Sequence, residues 1–175
     1  MRLLPLCVIC TLLLPVFQSS ADEGLSVGYG VADLNVDKHL GRVQGSEYYD
    51  FFQFTFLYEK PLQSFKHFSL FAEPFAAYVN RPNDGLDGGL YVGLKVYPMN
   101  EERKGLFIIA GTGAAYTTIK FREQGAHQLF TLEAGIGYRI GRFFVQDVLR
   151  HYSNAGLYKP NRSVQANILS TGFYF

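Results

Sequence analysis

The chain has no tryptophan and only two cysteines, Cys7 and Cys10, among its 175 residues. Both cysteines lie in an apolar N-terminal segment that we expect to be removed. The remaining chain would then have no disulfide, no thiol nucleophile and no thiolate metal site. Cys10 is not favoured as a lipidated N-terminus, because it lies inside the apolar run without small residues just before it.

The N-terminal segment has the layout of a secretory signal. Met1-Arg2 supplies a short positive start, residues 3–17 are almost wholly apolar, and Ser19-Ser20-Ala21 are small residues suited to a cleavage site. The apolar run is shorter than the roughly 18–20 residues that a membrane-spanning helix requires. We therefore predict that residues 1–21 are a cleaved signal peptide and that residues 22–175 form one domain.

Charge of one sign is not in excess, since the chain has 16 Lys and Arg against 15 Asp and Glu. This balance argues against a nucleic-acid partner, which requires clustered positive charge. After the N-terminal segment no run of 18 apolar residues occurs, which excludes helical membrane spans. His39, His67 and His127 are isolated and lack ligand spacing for zinc, and no phosphate-binding glycine loop is visible. We expect no metal and no organic cofactor.

Aromatic residues and glycine are abundant, with 16 Phe, 12 Tyr and 18 Gly. This composition without helical periodicity favours β-structure. An even number of strands, each long enough to cross a bilayer when tilted, is typical of membrane barrels, because only closure pairs every backbone group in lipid. We predict an all-β fold, an eight-stranded antiparallel transmembrane β-barrel of the bacterial outer membrane, with strands at 24–33, 46–59, 66–79, 87–98, 105–120, 127–140, 142–154 and 163–175.

The connections are predicted to alternate between two sides of the membrane. With both chain ends in the periplasm, residues 34–45, 80–86, 121–126 and 155–162 would face outside. Residues 60–65 and 99–104 and the tight turn at Gly141 would face the periplasm. The shortest turn therefore falls on the periplasmic side, as is usual for these barrels.

Side-chain alternation distinguishes this barrel from a soluble, lipocalin-like one, whose apolar face would point inward. In residues 127–140 one face is apolar, and the other carries Glu133, Arg139 and glycines suited to a narrow lumen. The aromatic run from Tyr48 to Tyr58 and the terminal Phe173-Tyr174-Phe175 suit a membrane interface better than a soluble surface. An aromatic C-terminal residue also resembles the terminal signal of outer-membrane proteins.

His151 and Ser153 are the most informative pair for chemistry. Two residues apart on a strand, they point to the same face, and a histidine can act as general base to a serine hydroxyl. The pair alone is equally consistent with a polar strand end entering a turn at Asn154 and Gly156. Alternation assigns them to the lipid-facing wall, near the outer-leaflet headgroups. That location would suit an enzyme that acts on a membrane lipid.

Residues 151–157, His-Tyr-Ser-Asn-Ala-Gly-Leu, followed by Pro160-Asn161, resemble the C-terminal motif of PagL-type lipid A 3-O-deacylases. A looser likeness in strand layout and in Gly and Ala patterning extends over most of the chain. The resemblance implies an eight-stranded outer-membrane esterase that removes a 3-O-linked acyl chain from lipid A, the membrane anchor of lipopolysaccharide. It implies Ser153 as nucleophile, His151 as general base, and Asn154 and the Gly156 amide as oxyanion donors.

The sequence departs from the family at the third triad position, where the resemblance implies a glutamate and the chain has Gln165. Three alternatives follow: a Ser-His-Gln triad, a triad completed by another acid, or a catalytically weak or inactive structural barrel. Asp147 shares the predicted face but is four residues from His151, about 13 Å along a strand. Glu133 is predicted to point into the lumen. The sequence leaves open whether the protein is a monomer or a homodimer.

Overall fold

The computed structural model describes residues 21–36, 43–81, 83–99 and 101–175. Within these ranges it describes the side chains of all residues except those from 33 to 48. The predicted signal peptide up to residue 20, the middle of the predicted first connection and His39 lie outside the described residues. No helix in the described part of the chain is long and apolar enough to span a membrane.

The described residues form eight strands in a closed barrel, in which each strand pairs antiparallel with its neighbours in sequence and β1 pairs with β8. This confirms the predicted fold, and the strand ends differ from the predicted ones by at most three residues. The strands are β1 Asp22–Val36, β2 Val43–Leu62, β3 Phe65–Asn80, β4 Gly85–Val96, β5 Gly105–Thr117, β6 Gln128–Ile140, β7 Phe143–Ser153 and β8 Val164–Tyr174.

The two ends of the barrel differ in their connections. Gly24 near the start of β1 pairs with Tyr174 at the end of β8, so both termini of the barrel lie at one end. The short turn at 141–142 lies at that end too, as do the connection at 63–64 and the described residues 97–99 and 101–104. The opposite end carries the longer segments 118–127 and 154–163, which follow β5 and β7.

The outer wall of the barrel is apolar. Large side chains on alternate positions, such as Leu132, Ile140 and Phe143, are 60%, 72% and 69% exposed. Exposure on this scale suits a surface in contact with lipid. This exposed apolar wall excludes the alternative of a soluble, lipocalin-like barrel whose apolar face points inward. The predicted aromatic belt from Tyr48 to Tyr58 is wrong in part, because Tyr49 and Phe51 are buried in the lumen, where alternation places every second residue of β2.

The lumen is filled by aromatic rings that pack on inward-facing glycines. A Cβ added at Gly137 would lie 2.2 Å from the Phe107 ring, and one at Gly172 would lie 2.7 Å from the Phe144 ring. Glycine is required at these positions because the rings occupy the space of a side chain. The lumen is therefore a packed core that holds the strands, rather than an open channel.

Two buried cations of this core, Arg150 and Lys95, are paired with carboxylates. The guanidinium of Arg150 donates to Glu133 at 3.0 Å and to Gln53 at 2.5 Å, and the ammonium of Lys95 donates to Glu73 at 2.8 Å. Pairing offsets much of the cost of taking such groups out of water. Glu133 is therefore a lumenal residue, as its position in the alternation predicts.

Candidate active site

His151 and Ser153 lie at the end of β7, on the outer wall of the barrel. Arg150 and Tyr152 are buried inward positions of β7. His151 lies between them and Ser153 follows Tyr152, so both of these side chains point outward. Both outward side chains are half-buried, and the strand reaches the longer-loop end of the barrel at Ser153. The pair thus shares one face, as the alternation predicts.

Gln165 lies directly opposite His151 in the pairing of β7 with β8. Both side chains point outward, and directly opposed side chains in an antiparallel pair have Cβ atoms about 4.5–5.5 Å apart. The structure therefore brings Gln165 to the position from which a third triad member would contact the imidazole. Its amide carries no charge.

The acids considered as substitutes lie elsewhere. Glu133 is buried in the lumen and bonded to Arg150, on the opposite side of the barrel wall from His151. Asp147 does point outward, but it lies opposite Ile136 and Leu169, two outward positions below His151. Neither carboxylate is positioned to contact the imidazole.

The Ser153 hydroxyl is held by residues of the segment 154–163, hereafter the site loop. It donates to Oδ1 of Asn161 at 3.4 Å and accepts from the backbone amide of Ala155 at 3.1 Å. The hydroxyl is thus oriented by the loop and not by the imidazole of His151. Catalytic hydrogen bonds are often formed only when substrate is present.

Asn154 occupies a structural position in this loop. Its side chain is 1% exposed, and its Nδ2 donates to the carbonyls of Tyr158 and Pro160, each at 3.1 Å, and to that of Gln124. Its Oδ1 accepts the backbone N–H of Gly156 at 2.9 Å. The two donors that were expected to hold an oxyanion are therefore already engaged, and in this geometry neither is free to do so.

Asn161 is a site residue that sequence reasoning did not assign. Its side-chain amide contacts both the Ser153 hydroxyl and the backbone N–H of Asn154, each at 3.4 Å. Because the oxygen and nitrogen of such an amide exchange by a flip, Nδ2 can take the position beside Ser153. Its place at the Pro-Asn end of the motif was the available signal.

Gln124 is the second such residue. It lies in the segment 118–127, hereafter the bracing loop, and is fully buried at 0% exposure. Its Oε1 accepts the N–H of Asn154 at 2.8 Å, and its Nε2 donates to the carbonyls of Tyr152 at 3.0 Å and of Arg162. An isolated polar loop residue offers no sequence pattern from which these contacts could be predicted.

Fold and site together define an outer-membrane barrel that presents a serine, a histidine and an amide on its lipid-facing wall. The model of the lipid A 3-O-deacylase (PagL) family matches residues 32–174. The chain belongs to this family. No curated protein sequence matches the chain.

Solved structures share the fold, among them two outer-membrane proteins. The crystal structure of the outer membrane enzyme PagL aligns with a TM-score of 0.63 and 17% identity, covering 85% of this chain and 98% of its own. The outer membrane protein Ail of Yersinia pestis, in a phospholipid bilayer nanodisc, aligns with a TM-score of 0.52 and 13% identity, covering 89% and 100%. At these identities the likeness is one of fold.

Proposed function

We propose that the protein hydrolyses the ester that links a 3-O-acyl chain to lipid A, by a serine–histidine mechanism in the outer leaflet. The observation that carries the proposal is the position of Ser153 and His151 on the outward face at the loop end of β7. A water-soluble substrate would gain nothing from this location. The ester bonds of a membrane lipid lie at the level of the headgroups, where this end of the barrel meets the bilayer surface.

The reaction proceeds in two steps, acylation of Ser153 and hydrolysis of the acyl ester. The imidazole of His151 takes the proton of the Ser153 hydroxyl as its oxygen attacks the ester carbonyl, and the sugar hydroxyl leaves with that proton. The acyl chain is then bound to Ser153. Water attacks this acyl ester and gives a proton to His151, which returns it to the Ser153 oxygen as the free fatty acid departs.

The negative charge that develops on the carbonyl oxygen requires a donor close to Ser153. The Asn161 amide is the best candidate, since it already contacts the hydroxyl at 3.4 Å and its Nδ2 can replace Oδ1 by a flip. Asn154 and the Gly156 amide would serve only if substrate released them from their bonds in the site loop. Removing one oxyanion donor commonly costs about 10²–10³ in kcat.

Gln165 would orient the imidazole through its side-chain carbonyl, which can accept the N–H of the ring and select the tautomer that serves Ser153. An uncharged amide stabilises the imidazolium that forms during attack less than a carboxylate would. The same feature favours the second candidate function, a structural outer-membrane barrel with weak or no activity. Gln165 supports that alternative, and the intact arrangement of His151, Ser153 and Asn161 supports the enzyme.

The test is to express the wild type and Ser153→Ala in a Gram-negative host and weigh the extracted lipid A by mass spectrometry. If the protein is this esterase, lipid A should lose one hydroxyacyl chain in cells that express the wild type and none in cells that express Ser153→Ala. Ser163→Ala is the matched control, because Ser163 is a half-buried serine of the same loop that no step uses. An unchanged lipid A with the wild type, but a shortened one with Gln165→Glu, would favour the inactive barrel.

A further inference from the structure

Gln124 joins the two parts of the chain that carry the proposed catalytic groups. Tyr152 and Asn154 are the neighbours of Ser153, and both bond to the Gln124 side chain through backbone atoms. Arg162 is the neighbour of Asn161, and its carbonyl accepts from the same side chain. One buried amide thus holds the backbone on both sides of Ser153 and on one side of Asn161.

Asn154 supplies the remaining bonds that hold the backbone around Asn161. Its Nδ2 donates to the carbonyl of Pro160, the other neighbour of Asn161, and to the backbone carbonyl of Gln124. The proposed nucleophile and the proposed oxyanion donor are therefore held at both flanks by Gln124 and Asn154. Satisfied buried amides of this kind specify one backbone arrangement, because breaking any bond leaves a polar group unpaired.

The bracing loop is itself anchored in the lumen. Phe121 is buried against Tyr49 and Tyr152, with ring centroids 4.8 Å and 5.5 Å apart. The Tyr49 hydroxyl donates to Glu123 at 2.9 Å and accepts the N–H of Arg122 at 3.1 Å. Gln124 therefore projects from a loop that is fixed to the barrel core, which makes it a rigid support rather than a mobile contact.

We propose that Gln124 is a positioning residue of the esterase site, which sets the distance between Ser153 and Asn161 by fixing the backbone at both. This inference rests on the proposed function. Gln124 is buried beneath the loop backbone and offers no atom to a substrate. Its loss should therefore lower kcat and leave KM nearly unchanged, since a displacement of about 1 Å at a reacting group can cost 10²-fold in rate.

The test compares Gln124→Met, which keeps the length of the side chain without its amide, with Gln128→Met at the exposed start of β6. We expect kcat on purified lipid A to fall about 10–100-fold in Gln124→Met, with KM within twofold, and both to stay unchanged in Gln128→Met. Gln124→Glu keeps the acceptor for the Asn154 N–H but turns a carboxylate oxygen towards the carbonyls of Tyr152 and Arg162, so its kcat should fall as well. A kcat of Gln124→Met within threefold of the wild type would overturn the inference.

A second measurement separates this inference from the proposed function. Hydrogen–deuterium exchange of peptides covering 152–162 should be faster in Gln124→Met than in the wild type, and unchanged in Gln128→Met. If the wild type does not deacylate lipid A, the proposed function fails, and equal exchange in Gln124→Met then also rejects the support of the loop by Gln124. If Gln124→Met lacks the gel shift of a folded barrel, the same comparisons are made with Gln124→Asn, which keeps an amide on a side chain too short to reach all three partners.

Discussion

His151 on β7 and Gln165 on β8 are direct cross-strand partners on the outer face of the barrel. The pairing matters because it offers the imidazole an amide where the family resemblance implies a carboxylate. A side chain at this position can accept the ring N–H, but only an ionised one also stabilises an imidazolium.

Replacing Gln165 with glutamate should therefore raise the rate. We expect kcat on lipid A to increase about tenfold or more, since the carboxylate would both orient the imidazole and stabilise its charged form. Asn167→Asp is the matched control, because Asn167 is the next outward residue of β8 and lies opposite Leu149. Equal gains in the two variants would mean that added negative charge on the wall, and not the triad position, is responsible.

Replacing Asn161 with alanine should slow the chemical step. We expect a loss of about 10²–10³ in kcat, the range for one oxyanion donor, with a much smaller change in KM. Steady-state kinetics on lipid A in detergent would measure both. Asn167→Ala controls for loss of an exposed amide, and an Asn161→Ala enzyme as fast as the wild type would remove this residue from the mechanism.

Gly125→Ala should disturb the site from the bracing loop. Gly125 has a φ of +60°, and an added Cβ would lie 2.6 Å from the backbone oxygen of Lys159 in the site loop. The contact forces the two loops apart, so kcat should fall by about tenfold or more as Ser153 is displaced. Gly141→Ala is a close control, with a φ of +59° and nothing within 4 Å of its Cβ. It carries the same backbone strain without the clash and should keep its activity.

Removing Arg150 should lower the stability of the barrel more than it affects substrate binding. In Arg150→Met the carboxylate of Glu133 would remain buried without its partner, a change that commonly costs about 3–5 kcal/mol. Urea unfolding in lipid vesicles, followed by the gel shift of the folded barrel, would measure it. Arg150→Met combined with Glu133→Gln should recover part of the loss, whereas Arg142→Met in the exposed turn should cost little. No recovery in the double variant would contradict the pairing as the source of the effect.

Much of the barrel was predictable because it depends on local alternation. The period of two along β7 is enough to assign His151 and Ser153 to one face, and the lumenal Arg150 and Tyr152 to the other. Antiparallel pairing of consecutive strands then brings Gln165 towards His151. The aromatic run of β2 obeys the same rule, and the expectation of a single outward belt failed there because every second ring must point inward.

The sequence by itself determined the strands, their faces and the residues of the motif, since each follows from spacing along one segment. Only the tertiary structure decided how the site loop is held. The bonds of Gln124 to Tyr152, Asn154 and Arg162 join segments about 30–40 residues apart in the chain, and they exist because closure of the barrel brings two loops together at one end. Contacts within the folded site loop engage Asn154 and leave Asn161 beside Ser153, a division of roles between two asparagines that no local pattern distinguishes.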